Sequence, residues 1–244
     1  MSPVLGILSV FPELFNVNGD AENAAVLAAR SRWAGHSARI TRLAQGDVAP
    51  EVTPGVVVIG STTDPALPDA IAALRLLRPA LARWIEDGVP VLAVGTGWEL
   101  LSDSIELPGG TIEALGLLPG RAVASGSRVA DDLVVASPFG RLIGFENHAR
   151  DYILAETSTA LGTVVYGRGN GAESAAEGLL HGSVIGTHLH GPVLAKNPSV
   201  ADHILSLVLP GYDSRTVPAG RVDDFARGAR NVIAGRLELE LETS

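Results

Sequence analysis

The sequence predicts an α/β fold with a mixed, largely parallel sheet, and three observations carry the prediction. Along the first hundred or so residues, short apolar runs alternate with helical patterns, which is how βαβ units read. A fourth apolar run, Pro90-Val91-Leu92-Ala93-Val94, passes straight into Gly95-Thr96-Gly97-Trp98-Glu99-Leu100-Leu101, a tight turn feeding a helix. The chain has 244 residues, 46% hydrophobic and 18% charged, enough to bury one sizeable core, so a single α/β domain is expected.

The elements follow in order. Val4 to Val10 reads as a buried strand, and Asp20 to Ala34 as a helix with an acidic cap in its first turn. Ala38 to Thr41 is a second short strand. Val56-Val57-Val58-Ile59 is a third, and it ends at Gly60-Ser61-Thr62-Thr63-Asp64, where open α/β sheets place their ligands. Ala70 to Asp87 is helical, with an early turn or break expected at Pro79. The strand, turn and helix around Gly95 have the geometry of a nucleophile elbow.

Beyond about residue 110, Gly-rich turns separate β-type runs at Leu133 to Ala136, Leu142 to Glu146, Thr163 to Tyr166 and Ser183 to Leu189, so a more antiparallel second half is expected. Pro198 to Leu209 is an amphipathic helix. Val222 to Leu237 reads as a C-terminal helix after a loop from Gly211 to Gly220. The domain is placed at residues 1–210, with 211–244 as a tail carrying that helix.

A formal net charge of −9 supplies no surplus of cations to neutralise phosphates, which argues against nucleic acid and anionic membrane as partners. No stretch approaches the roughly 18 apolar residues that span a bilayer, and Met1-Ser2-Pro3-Val4 puts no basic region before its apolar run. A cytoplasmic protein with a small-molecule or protein partner is expected. The sequence has no cysteine, which removes disulfides, thiolate metal sites and thiol nucleophiles together.

Three segments carry a family resemblance. They are Asn16-Val17-Asn18-Gly19-Asp20-Ala21-Glu22-Asn23, Gly144-Phe145-Glu146-Asn147-His148 and the run from Gly186 through His188, His190, Gly191 and Pro192 to Pro198. In this order they resemble the GatD and cobyric-acid-synthase branch of the class I glutamine amidotransferases over roughly residues 4 to 210. Glu22 departs from that pattern, where a glycine is expected.

The resemblance implies a flavodoxin-like three-layer sandwich and, in the GatD case, pairing with a Mur-ligase-like, MurT-type subunit that amidates peptidoglycan precursors. It also implies a cysteine at the elbow that attacks the glutamine amide, a histidine that moves the proton, and backbone N–H groups that stabilise the oxyanion. Here Gly95 stands at the cysteine position. His190 matches the histidine, Arg128 the group holding the glutamine carboxylate, and Gly60-Ser61 the oxyanion-side loop, which in the family is richer in glycine. Gly191-Pro192 follows His190 where the usual His-x-Glu acid would lie, so the resemblance implies that the acid comes from the ligase partner.

Thr96 carries a hydroxyl one residue from Gly95. An elbow requires small residues two before and two after its nucleophile, which Ala93 and Gly97 provide around Gly95, whereas Val94 and Trp98 flank Thr96. His188 and His190, two apart on a strand, share a face and with His148 or His181 suggest a metal, but no carboxylate cluster completes a site, and neither metal nor cofactor is expected. Trp98 reads as packing, Glu99 as a pocket residue, a helix cap or a solvated helix residue, and Gly167-Arg168-Gly169-Asn170-Gly171 as a turn rather than a phosphate loop.

The resulting expectation is a glutamine-amidotransferase relative that has lost glutaminase chemistry and serves as a binding, scaffold or regulatory subunit, with glutamine or a related small molecule as possible ligand. Two alternatives stand beside it: a glutaminase subunit, active or inactivated by mutation, that supplies ammonia for amidation, and an enzyme that reuses His190 and Arg128 on another substrate.

Overall fold

The computed structural model describes residues 4–216 and 220–243. Met1-Ser2-Pro3 and part of the Gly211 to Gly220 loop lie outside the described residues.

Six strands form the central sheet: β1 (Leu5–Val10), β2 (Ala38–Leu43), β3 (Val56–Ile59), β4 (Val91–Val94), β11 (Leu179–His181) and β12 (Val184–Thr187). Their order is β11-β12-β4-β3-β1-β2, all parallel except β11, which runs antiparallel to β12. Strands covered on both faces read as continuous apolar runs, and all four residues of both β3 and β4 are buried.

Side chains alternate between the two faces. Val57, Ile59, Val91 and Ala93 meet Leu74, Leu81 and Trp84 of α2 (Leu67–Glu86). Val56, Val58, Leu92 and Val94 meet Leu27 and Ala28 of α1 (Asn23–Trp33) and Ile204 and Leu205 of α5 (Pro198–Val208). The result is a three-layer sandwich whose β2-β1-β3-β4-β12 order has the flavodoxin-like arrangement, with the switch point at β1 and β3.

A second sheet has the order β10-β9-β7-β5-β6, with β8 paired to β7. Its strands are β5 (Ser104–Leu107), β6 (Gly110–Glu113), β7 (Arg121–Ser137), β8 (Gly140–Ile153), β9 (Gly162–Tyr166) and β10 (Ala176–Glu177). The short helices α3 (Thr96–Glu99) and α4 (Val193–Lys196) follow β4 and β12, and α6 (Gly220–Arg236) lies near the C-terminus.

Several expectations are corrected. The helix expected from Asp20 begins as a 3-10 turn, Asp20–Glu22, and the α-helix starts at Asn23, with no side-chain cap at either start. Helix α2 begins at Leu67 and runs through Pro79 without ending, because Leu74, Leu77, Ala80, Leu81 and Trp84 pack on both sides of it. That burial outweighs the proline penalty of about 3 kcal/mol. The run at Ser183 to Leu189 is not part of an antiparallel half: β12 returns to the central sheet and pairs parallel with β4.

Buried Arg30 fastens the helices on one face. Its Nε and Nη2 donate to Asp202 of α5, each at 2.8 Å, and its Nη1 donates to Asp223 of α6 at 2.6 Å. Burial acts to lower the guanidinium pKa, but the two carboxylates more than offset it and raise it. Removing a buried partner leaves charge uncompensated. Arg30→Ala is therefore expected to cost about 3 kcal/mol, below the upper end for a buried pair because Asp223 is partly solvated. Urea unfolding of the two proteins measures the difference.

Candidate functional site

The site lies beyond the carboxyl ends of β1, β3, β4 and β12, where a parallel sheet leaves a crevice. Gly95 is the sharp residue between β4 and α3, at φ 55° and ψ −128°, a backbone that side chains rarely adopt. Its N–H donates to the Thr187 carbonyl at 2.8 Å, so the turn is pinned to the end of β12. Gly97 must also lack a side chain, since a Cβ there would lie 2.2 Å from the Gly60 carbonyl oxygen. These constraints make the strand, turn and helix seen in sequence an elbow in space.

His190 is fully buried and faces that elbow. A Cβ built on Gly95 would lie 2.8 Å from His190 Cε1, 3.3 Å from its Nε2 and 3.0 Å from Ser61 Cβ. The ring therefore fills the space a side chain at 95 would enter. The His190 Nδ1 group lies 3.0 and 3.1 Å from the two oxygens of Asp20, which is also fully buried. A carboxylate only accepts, so it holds the proton on Nδ1 and leaves the lone pair on Nε2.

The acid on the histidine thus comes from within the chain, 170 positions away, which corrects the expectation that a ligase partner supplies it. Asp20 is no helix cap. Its Oδ2 also accepts from Ser61 N at 3.1 Å and from Ser61 Oγ at 2.5 Å. Asn18 Nδ2 completes the cluster, 3.1 Å from Ser61 Oγ and 3.3 Å from His190 Nε2.

An Asp–His pair of this kind is general-base geometry, but it meets no nucleophile among the described residues. The Ser61 hydroxyl donates to Asp20 Oδ2 rather than to His190. The Thr96 hydroxyl is turned to the loop after β3: it accepts from Thr62 N at 2.7 Å and lies 3.3 Å from Thr62 O. The structure therefore gives Thr96 a structural partner at this position. Gly60 packs beneath the elbow, where a Cβ would lie 2.2 Å from the Phe15 carbonyl oxygen.

Arg128, on β7, sits at the rim with its side chain half exposed. It donates to Asn147 Oδ1 at 3.0 Å and to Asp64 Oδ2 at 2.5 Å, and Asn147 Nδ2 in turn reaches Asn18 Oδ1 at 3.3 Å. Asp64 Oδ1 accepts from buried Arg150 at 2.7 Å, and Arg150 Nε donates to Glu99 Oε2 at 2.5 Å. Glu99 is fully buried, which corrects the solvated reading. Trp98 is packing, stacked on Tyr152 with ring centroids 4.0 Å apart.

His188 and His190 part company beyond β12. His188 stacks on His148 at 4.2 Å, and His190 packs on Phe145 at 5.3 Å. Among the described residues no three His, Asp or Glu side chains converge to hold a metal ion. His148 is held by Glu146 at 3.1 Å and the Arg150 carbonyl at 2.6 Å. Burial acts to lower its pKa, but these partners outweigh burial and raise it. The Gly167 to Gly171 segment is a turn, whose Arg168 and Gly169 N–H groups donate to Glu146.

Sequence reasoning missed Asn18 and the role of Asp20, although both lie in a segment it singled out. It placed Asp64 in the loop after β3 without seeing its arginine partners, and it missed Arg150 altogether. Nothing local signals a pairing across so many residues.

A model of CobB/CobQ-like glutamine amidotransferase domains matches residues 7–198, and the chain belongs to that family. Over 153 residues it is 35% identical to the Staphylococcus aureus (strain N315) GatD subunit of lipid II isoglutaminyl synthase (glutamine-hydrolyzing), covering 62% of each chain. Over 209 residues it is 27% identical to the GatD subunit of the same name from Streptococcus pneumoniae (strain ATCC BAA-255 / R6), covering 84% of this chain and 80% of the relative. The match thus spans less than two thirds of the Staphylococcus protein.

A glutamine amidotransferase structure from Thermotoga maritima superposes with a TM-score of 0.55 at 14% identity, covering 94% of this chain and 96% of that one. A second glutamine amidotransferase structure gives 0.53 at 15% identity, covering 82% of this chain and 98% of that one. At such identities these support the fold alone.

One pH effect follows from the buried acids. Glu177 accepts from Thr187 Oγ1 at 2.7 Å, His188 N at 2.8 Å and His188 Nδ1 at 3.3 Å. Burial acts to raise its pKa, but the His188 ring and the other donors outweigh burial and lower it. Burial, then the nearby His148, lowers the pKa of His188 despite Glu177. A depressed carboxyl stabilises the fold above its unfolded pKa of about 4.3 and loses that contribution as pH falls through the folded value. His188 acts in the same sense below about 6.5, while His148, raised, stabilises below about 6.5 and loses its contribution as pH rises. Glu177→Gln is expected to cost about 1–3 kcal/mol at pH 7 and to flatten the loss of stability below about pH 4.3, as read from urea unfolding across that range.

Proposed function

We propose that the chain is a GatD-like glutamine amidotransferase subunit that has lost glutaminase activity and acts as a binding, scaffold or regulatory partner of a MurT-type, Mur-ligase-like subunit. It would act in the cytoplasm, with residues 1–210 as the amidotransferase-like domain and 211–244 as a C-terminal tail. Among the described residues no helix is long and apolar enough to cross a membrane.

The observation that carries the reading is Gly95. It stands in the elbow where the family resemblance expects a cysteine, and the Cε1–Nε2 edge of His190 packs against it. The loop N–H groups that an amide oxyanion would need are engaged as well, Ser61 N by Asp20 and Thr62 N by Thr96. The nucleophile is thus missing, and the N–H groups of the loop after β3 are satisfied from inside the chain. The partnership and the peptidoglycan substrate rest on the relatives, whose names describe subunits of lipid II isoglutaminyl synthase.

Glutamate release from L-glutamine tests the loss of chemistry, measured on the native protein alone and with a MurT-type ligase from the same organism. The native protein is expected to show no release above buffer in either state, and to co-elute with the ligase. Release by the native protein overturns the inactive reading, and failure to co-elute overturns the partnership.

Restoring the cysteine should need two changes. In Gly95→Cys the new Cβ meets both His190 and Ser61, so little turnover is expected. Gly95→Cys with Ser61→Gly, which removes one of the two clashes, is expected to exceed it at saturating L-glutamine.

A further inference from the structure

We propose that the outer face of α6 and the groove beside it form a self-association surface, whose occupant is a second copy of this chain. Helix α6 is apolar on two sides. On its inner side Ile233, Ala234 and Leu237 pack with Val134 of β7 and Ile143 of β8. On its outer side Val222, Phe225, Ala229 and Val232 recur at helical spacing, and all four are exposed, Phe225 at 65% and Val232 at 74%. Single apolar residues on a surface are ordinary, but an aligned set on one helix marks an interaction site.

A groove of about 460 Å³ lies beside this stripe, between α1, α4 and α6. Its walls are largely apolar, with Ala25, Val26, Ala29 and Trp33 from α1, Ala195 from α4 and Val222 from α6. Val222 thus belongs to both the stripe and the groove, and Phe225 projects one turn further along the same helix. A projecting ring beside a receiving groove is what a two-fold contact requires: Phe225 of each copy enters the groove of the other, and the assembly closes at two chains.

Charge complementarity favours a second copy as the occupant. Glu22 borders the groove, and its carboxylate has no ion-pair or hydrogen-bond partner among the described residues. Arg221 lies over the Phe225 ring, 5.5 Å from its centroid, and has no carboxylate partner among them either. A Phe225 ring that enters the opposite groove therefore carries a free guanidinium to a free carboxylate, and the two-fold axis repeats the pair.

Area sets the strength. The 17 residues of α6 run about 26 Å, and with about 10 Å for the width of each helix the face covers about 500 Å² on each copy. That falls below the roughly 800 Å² per partner of a standard interface, so a reversible dimer in the micromolar range is expected. Helix α6 lies beyond residues 7–198, which carry the family match, and the surface stands independently of the glutaminase reading.

The experiment is sedimentation velocity of the full chain across micromolar concentrations, for the native protein, Phe225→Glu, Ala29→Glu, Glu22→Arg, Arg221→Glu and Glu22→Arg with Arg221→Glu. Thermal melts establish that each variant is folded, and Ala29→Glu, which places a charge in the groove, carries the test if Phe225→Glu does not fold. The native protein is expected to pass from monomer to dimer as concentration rises, while Phe225→Glu and Ala29→Glu stay monomeric. Each single charge reversal should weaken the dimer about tenfold, because the contact occurs twice, and the double reversal should regain native affinity. A native protein that stays monomeric overturns the proposal, as does a dimer that persists in folded Phe225→Glu or a charge reversal that its counterpart does not compensate. If the chain alone is monomeric and Phe225→Glu abolishes co-elution with a MurT-type ligase, the face serves the ligase and the second copy is overturned. Glutamate release by the native protein would overturn the inactive reading and leave this surface standing.

Discussion

Asp20 sits fully buried at the meeting point of three strand ends, and an ionised carboxylate there is costly unless its oxygens are matched. It is matched by the ring of His190 beyond β12 and by both the backbone and the hydroxyl of Ser61 beyond β3, while Asp20 itself is carried by the segment after β1. The carboxylate thus fixes the spacing of three loops that would otherwise be free to spread. The orientation of the histidine, the course of the loop after β3 and the entry into α1 all follow from satisfying one charge.

A second buried group does similar work on the far side of the elbow. Arg150 lies between Glu99 and Asp64, and from Asp64 the hydrogen bonds continue through Arg128, Asn147 and Asn18 to His190 and Ser61. The site is therefore one connected polar network rather than a cavity lined with spare donors. Such networks are rigid when every member is paired. Glu99 Oε1, Trp98 Nε1 and His188 Nε2 are buried without a hydrogen-bond partner, and they mark the side of the elbow where this completeness ends.

How much of this could be read from the sequence depended on whether the signal was local. Val56 to Ile59 is uniformly apolar and was placed residue for residue, and the Gly95 turn was legible because strand, small residues and helix follow one another directly. The β7 and β8 strands were seen only as their apolar stretches, Leu133 to Ala136 and Leu142 to Glu146. Their outer ends alternate or expose polar residues such as Arg121 and Arg128, so the rest of their length left no apolar run. Asp20 read as a helix cap because an acid before a helix has that ordinary explanation, and its true partner is distant in sequence. The pairing of Asp64 with Arg150 left no trace for the same reason.

The backbone of His190 has its own consequence. Its N–H donates to the Phe145 carbonyl at 2.8 Å and its carbonyl accepts from Phe145 N at 3.4 Å, a bridge between β8 and the segment leaving the central sheet. The histidine is thus a rivet through two layers, hydrogen-bonded by its main chain to one and by its imidazole to the other. Any sliding of the antiparallel layer over the parallel one would have to shear that rivet.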